Sequence, residues 1–167
     1  MRSGRIFFIL VLLVCVIETM RLWYITPAQM AAHFNVQGNP DHFTTKEQFF
    51  SFELQTMLVV IGLGVLTQVF VAITPVERVN MPNREYWLAP EHRKQTIGLL
   101  GSFAATISGF ILLAIQAGFE LSVSANLHQP ILFDAQAMFV VIAGFFVIVI
   151  LMLFWLAISF RVPPSKP

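Results

Sequence analysis

The chain has 167 residues and a formal net charge of +1, with 57% hydrophobic and only 11% charged residues. Soluble globular domains carry about a quarter charged residues, so an aqueous domain is excluded as the main body; the net charge hides an asymmetry along the chain and is no guide to partners, and no nucleic-acid partner is expected. Too little chain lies outside the apolar runs to bury a second core, so one membrane domain over 1–167 is expected.

The first apolar run, 6–25, opens a series of four, followed by 54–73, 97–119 and 135–160. Each has about 20 residues or more, enough at about 1.5 Å per residue to cross a hydrocarbon core of about 30 Å. The period-two alternation of barrel strands is absent from them. The expected fold is an all-α membrane protein, four transmembrane helices in a bundle. Although MRSGRIFFILVLLVCV begins like a secretory signal, bulky Val14, Val16 and Ile17 surround Cys15, and the run continues to Trp23 and Tyr24. An uncleaved anchor is the reading. Cys15, the single cysteine, permits no internal disulfide and reads as a small packing residue. Glu18 lies inside this span, where an ionised carboxylate needs a partner; Arg21, three residues on, shares its helical face. The alternative is a proton or ion site joining Glu18 to Gln55, Thr67 or Gln68 of the second span.

Residues 26–53 form the first connection, and they open TPAQMAAHFNVQGNPDHFTTK. Thr26, Pro27 and Gln29 have the pattern of a capped helix start, which predicts a short helix through His33. Gly38 then supplies a left-handed residue and Asn39-Pro40 a turn. Side chains of His33, Asn35 and Asp41 are expected to tie the loop through bonds to backbone groups, as Asx turns do. Thr44-x-x-Glu47 reads as a capping box, starting the second helix near Thr45 and running it unbroken into 54–73.

In the connection 74–96, Pro82 and Asn83 mark an irregular stretch, and Pro90 opens the third helix with Glu91 at its positive end. Asn83, Arg84, Glu85, Tyr86 and Trp87 form the most contact-like segment there, with Tyr86 and Trp87 placed for an aromatic belt. In the third span Gly101, Ala105 and Gly109 recur four apart, beside Gly98 and Ser102. Small residues at that spacing allow close helix approach, either inside the bundle or against another membrane protein. After a second loop, 120–134, Asp134 is placed to cap the fourth helix.

Arg2, Arg5, Arg78, Arg84, Arg93, Lys94, Arg161 and Lys166 flank one set of span ends, and only Arg21 and Lys46 the other. This bias puts both termini in the cytoplasm, with 26–53 and 120–134 outside. The outer side then holds His33, Asp41, His42, His128 and Asp134, whose imidazoles and carboxylates suit zinc or copper. None has the spacing of a metal motif, and no cofactor is predicted. Phosphate-cradling glycine loops, nucleophile elbows and cysteine–histidine pairs are all missing from the sequence, which points away from an enzyme.

Pro27, His33-Phe34-Asn35, Gly38, Pro40-Asp41 and Lys46 together resemble the P-x(5)-H-F-N-x-x-G-x-P-D pattern of the bacterial membrane family named domain of unknown function 1648. The resemblance covers roughly Met1 to Thr56, and the NMPNREYWLAPEHR stretch resembles one branch of the family. It implies a bacterial inner-membrane protein with an outward HFN loop. The same domain begins SdpI-type immunity proteins, which protect against a secreted peptide toxin and sequester a repressor, but their further helices have no counterpart here. The expected role is therefore an accessory, sensing or complex-associated subunit in contact with the bilayer and with a membrane-protein partner or a second copy. Metal or ion binding, and peptide-toxin immunity, are the alternatives.

Overall fold

A computed structural model of the chain describes residues 3–75, 78 and 80–161, with backbone alone at 68, 71 and 72. Arg2, Lys166 and the Gln68 side chain, used in the arguments above, lie outside the described residues. In chain order the elements are α1 (Ser3–Ile25), β1 (Gln29–Phe34), β2 (Pro40–Thr45), α2 (Lys46–Ile73), α3 (Arg84–Trp87), α4 (Pro90–Asn126) and α5 (Ala135–Ser159). The helices α1, α2, α4 and α5 are long and apolar enough to cross a bilayer. This is a mostly helical, multi-pass membrane protein in contact with lipid.

The short helix expected through His33 is replaced by an antiparallel β-hairpin, in which Gln29 faces Thr45, Ala31 faces Phe43 and His33 faces His42. Thr26 does not cap a following helix. Its hydroxyl donates back to the Leu22 carbonyl at 2.6 Å and its N–H to the same oxygen at 3.0 Å, closing α1. Pro27 then steers the chain into extended backbone, since the residue before a proline avoids the helical region. The capping box of α2 falls one residue later than Thr44/Glu47: Thr45 Oγ1 accepts from Gln48 N, and Gln48 Oε1 accepts from Thr45 N. The Thr44 hydroxyl donates to Gln48 Oε1 instead, at 2.6 Å.

Helix α2 starts at Lys46 and α4 runs on to Asn126, so each helix extends beyond its apolar run. Pro90 is the first residue of α4 and Glu91 lies in its first turn. Asp134 Oδ1 accepts from Ala137 N at 2.8 Å, capping α5.

Helix α4 is the axis of the molecule, packed against α1, α2 and α5, while the backbones of α1 and α2 approach each other at few points and α5 packs along no other long helix. Gly4 with Ser102, Thr19 with Gln116 and Arg21 with Glu120 mark successive levels where α1 runs parallel to α4. The small residues Gly101, Ala105, Ser108 and Gly109 are buried on α4. A β-carbon on Gly109 would lie 2.7 Å from the Phe7 ring, and one on Gly4 would fall on the Ser102 carbonyl oxygen and on the Ser102 and Thr106 hydroxyls. No residue of α5 is buried. At the end of the molecule opposite the hairpin, Asn83 Nδ2 and Trp87 Nε1 both donate to the Phe160 carbonyl, at 3.0 and 2.7 Å, tying α3 to the end of α5. Tyr86 stacks on His92.

The core has two apolar layers. Val11, Cys15, Met57, Val60 and Leu112 form one, and Leu22, Met30, Phe49, Phe50 and Val123, nearer the hairpin, form the other.

Candidate functional site

The motif residues of the first connection build a fixed cap over the hairpin end of the bundle. Asn35 Oδ1 accepts from Gln37 N and Asn39 N, both at 3.0 Å, while Gly38 N donates to the Asn35 carbonyl at 2.9 Å. Gly38 takes φ 82, and its carbonyl accepts from Phe133 N at 2.9 Å. The loop before α5 is thereby joined to the hairpin tip, and Phe34 stacks on Phe133 with ring centres 5.0 Å apart. Pro40 opens β2, and Lys46 Nζ donates to the Thr26 carbonyl at 3.2 Å while lying 4.7 Å from the centre of the Trp23 ring. His33 Nδ1 and Asp41 Oδ1 are 2.5 Å apart across the hairpin, both largely exposed.

The main anchor is Asn126, absent from the sequence argument. Its Oδ1 accepts from Ala31 N at 2.7 Å and its Nδ2 donates to the Ala31 carbonyl at 3.0 Å. One buried side-chain amide thus supplies both bonds a neighbouring strand would give to β1. A second bond from Nδ2 to the Ser122 carbonyl, at 2.8 Å, holds the amide in place.

Gly38→Ala should lower the melting midpoint in mild detergent by about 4 °C. A left-handed conformation costs a residue with a β-carbon about 1–2 kcal/mol, worth roughly 2–4 °C per kcal/mol in a chain of this size. The added carbon would also lie 2.6 Å from the Phe133 carbonyl oxygen. An unchanged midpoint would mean that the tip relaxes without strain.

The five residues considered for zinc or copper are dispersed. His33 pairs with Asp41, His128 Nδ1 lies 2.8 Å from the Ser124 carbonyl, Asp134 caps α5, and His42 lines a separate groove with Gln48 and Phe52. Among the described residues no three His, Cys, Asp or Glu side chains are grouped to hold a metal ion. Glu18 does not face the second span either. It meets Arg21 Nε at 2.5 Å, and Arg21 Nη2 continues to Glu120 Oε1 at 2.6 Å on an exposed side of the bundle. Gln55 donates to Ser51 Oγ and Thr67 to the Leu63 carbonyl, both within α2.

The carboxylate that enters the core is Glu53, fully buried. The turn from Phe49 to Glu53 carries Phe50 and Glu53 to the inside of α2, and the same face continues through Met57 and Val60. Thr19 of α1 donates to Glu53 Oε1 at 3.0 Å, and the same hydroxyl lies 3.5 Å from Gln116 Oε1 of α4. Glu53 Oε2 and Gln116 Nε2, both buried, have no hydrogen-bond partner among the described residues. Three polar side chains from three helices therefore meet between the two apolar layers. Buried polar groups in such surroundings are costly unless satisfied, and an acid within a span marks a functional site by default. Two signals pointed to it in the sequence. Glu53 interrupts the apolar run FFSFEL, and a helix starting near Thr45 places it two turns inside; Gln116 is the lone amide of the third span.

Residues 9–56, which cover most of α1, the hairpin and the first turns of α2, match the family described as Domain of unknown function (DUF1648). The chain matches no curated protein and no solved structure.

Proposed function

We propose that this chain is a non-enzymatic inner-membrane protein with both termini in the cytoplasm, acting as an accessory or sensing subunit through its outer hairpin. The observation that carries the reading is a fixed platform with an apolar rim. The hairpin is held by Asn126 and Phe133 from a distant part of the chain, yet Val36 at its tip is 90% exposed, Phe43 54% and the neighbouring Tyr24 83%. Apolar side chains presented on a preorganised support suit docking, because little ordering entropy is left to lose on binding. The partner is expected to be another membrane protein with an apolar outward surface. The segment Asn83–Trp87 contributes less, since Asn83 and Trp87 are engaged with Phe160; Glu85 is the exposed acid left on its surface.

Purification of the full chain from its native host in mild detergent should recover one membrane partner in stoichiometric amount. Replacing Val36 and Phe43 together by aspartate should release that partner while leaving the melting midpoint within about 2 °C, as exposed substitutions generally do. A single monodisperse species from the host, or a partner retained by the double variant, overturns the reading.

A further inference from the structure

We propose that Glu53, Thr19 and Gln116 form an intramembrane site that takes up one monovalent positive charge, supplied as an alkali ion or as a proton. The site offers three oxygens, a carboxylate, a hydroxyl 3.0 Å from it and an amide oxygen 3.5 Å from that hydroxyl, beside the unpartnered Gln116 Nε2. Such donors suit hard cations rather than thiophilic metals. Glu53 Oε2 is buried and has no hydrogen-bond partner among the described residues, so the carboxylate has an unused oxygen in the core.

Charge balance sets the valence. Glu53 is the only acid of the cluster, and no ion pair reaches it among the described residues. One positive charge makes the site neutral between the apolar layers, whereas a divalent ion would leave an uncompensated charge there, which is far more costly. Of the other titratable groups, Cys15 is buried in the layer on the far side, and Glu47 lies at the hairpin end of α2.

An open groove reaches the Thr19 side of the cluster. Between α1 and α2 runs a groove of about 520 Å³ with Thr19 in its wall. Glu47, Ser51 and Gln55 line it at four-residue spacing on α2, which puts them on one helical face. The three polar groups, of which Gln55 donates to Ser51, interrupt an otherwise mostly apolar wall between the hairpin end and the level of Thr19, whose hydroxyl meets Glu53.

The test is the melting midpoint of the purified full chain in mild detergent at fixed ionic strength, with sodium, lithium, potassium or choline chloride, repeated from pH 5 to pH 9. At saturation an alkali ion should raise the midpoint over choline by about 5 °C. Glu53→Gln, which keeps the shape and removes the charge, should abolish the rise; Thr19→Val should weaken it and Thr19→Ser retain it. A midpoint indifferent to the cation but dependent on pH in the wild type, and flat in Glu53→Gln, assigns the same site to the proton. The Glu53→Gln comparison separates this from titration of Cys15 or Glu47. A midpoint indifferent to both cation and pH, or a response that survives Glu53→Gln, overturns the proposal.

Discussion

Asn126→Leu should detach the hairpin from the bundle. Leucine keeps most of the volume and removes both partners of Ala31, whose N–H and carbonyl would stay buried without hydrogen bonds. Each such group costs about 1–3 kcal/mol. The hairpin's own ladder persists, but two strands alone are marginal in water. The expected result is a fall in the melting midpoint together with amide exchange in β1 and β2 faster by about 30-fold or more, since 1.4 kcal/mol is a factor of ten. Exchange in the middle of α4 should be unaffected. If β1 exchanges at the wild-type rate, the hairpin is held by its contacts with Phe133 and Lys46, and Asn126 is incidental.

Gly4→Leu should separate α1 from α4 at the end opposite the hairpin. In a bilayer, helices associate through close packing rather than through escape from water, so a crossing made by a glycine has no substitute source of attraction. The new side chain would meet a backbone carbonyl and two hydroxyls of α4, none of which is the yielding tip of a long side chain. Overpacking of this kind costs about 1–3 kcal/mol, and the bond from Gly4 N to Ser102 Oγ would be lost as well. A fall in midpoint of roughly 5 °C or more is expected. Gly62 and Gly144 supply the control, since a β-carbon at either meets nothing within 4 Å. Equal effects at all three positions would show that helix propensity, not the crossing, sets the response.

The four spans could be read from hydropathy because a run of apolar residues long enough to cross a bilayer has few other uses. Local chemistry at helix ends was also readable: Pro90 and Asp134 act within one turn of their own positions. The hairpin was not, because Gln29–Phe34 contains good helix formers in Met and Ala, and what makes it a strand is nonlocal. Its partners are β2 and the Asn126 amide, and the latter lies 95 residues away. The capping box slipped by one because Thr44 and Thr45 are both hydroxyl residues, with Glu47 and Gln48 both suited to the reciprocal role.

The candidate site divides in the same way. Glu18 and Arg21 are neighbours on one helix at a spacing the sequence displays, but Glu120, which Arg21 also meets, comes from 99 residues on. Glu53 directly precedes the apolar run that starts at Leu54, so hydropathy alone leaves it at the edge of the first connection. Its direction depends on the phase of a helix that starts at Lys46, and its companions come from two other helices. Small residues on α4 announced a close approach; which helix fills it is decided by Gly4 and Phe7 on α1, far away in sequence.

The placement of α4 at the axis also imposes an order on biosynthesis. The segment 9–56 contains Thr19, Ala31 and Glu53, but the partners Gln116 and Asn126 belong to α4 and emerge well after it. At about 5–20 residues per second, the 95 residues from Ala31 to Asn126 take roughly 5–20 s to make. In the later part of that interval, once α2 is complete at Ile73, α1 and α2 stand in the membrane without the helix that packs against both, and the hairpin lacks its clamp. The arrival of α4 therefore brings the contacts that hold the hairpin and the polar cluster together.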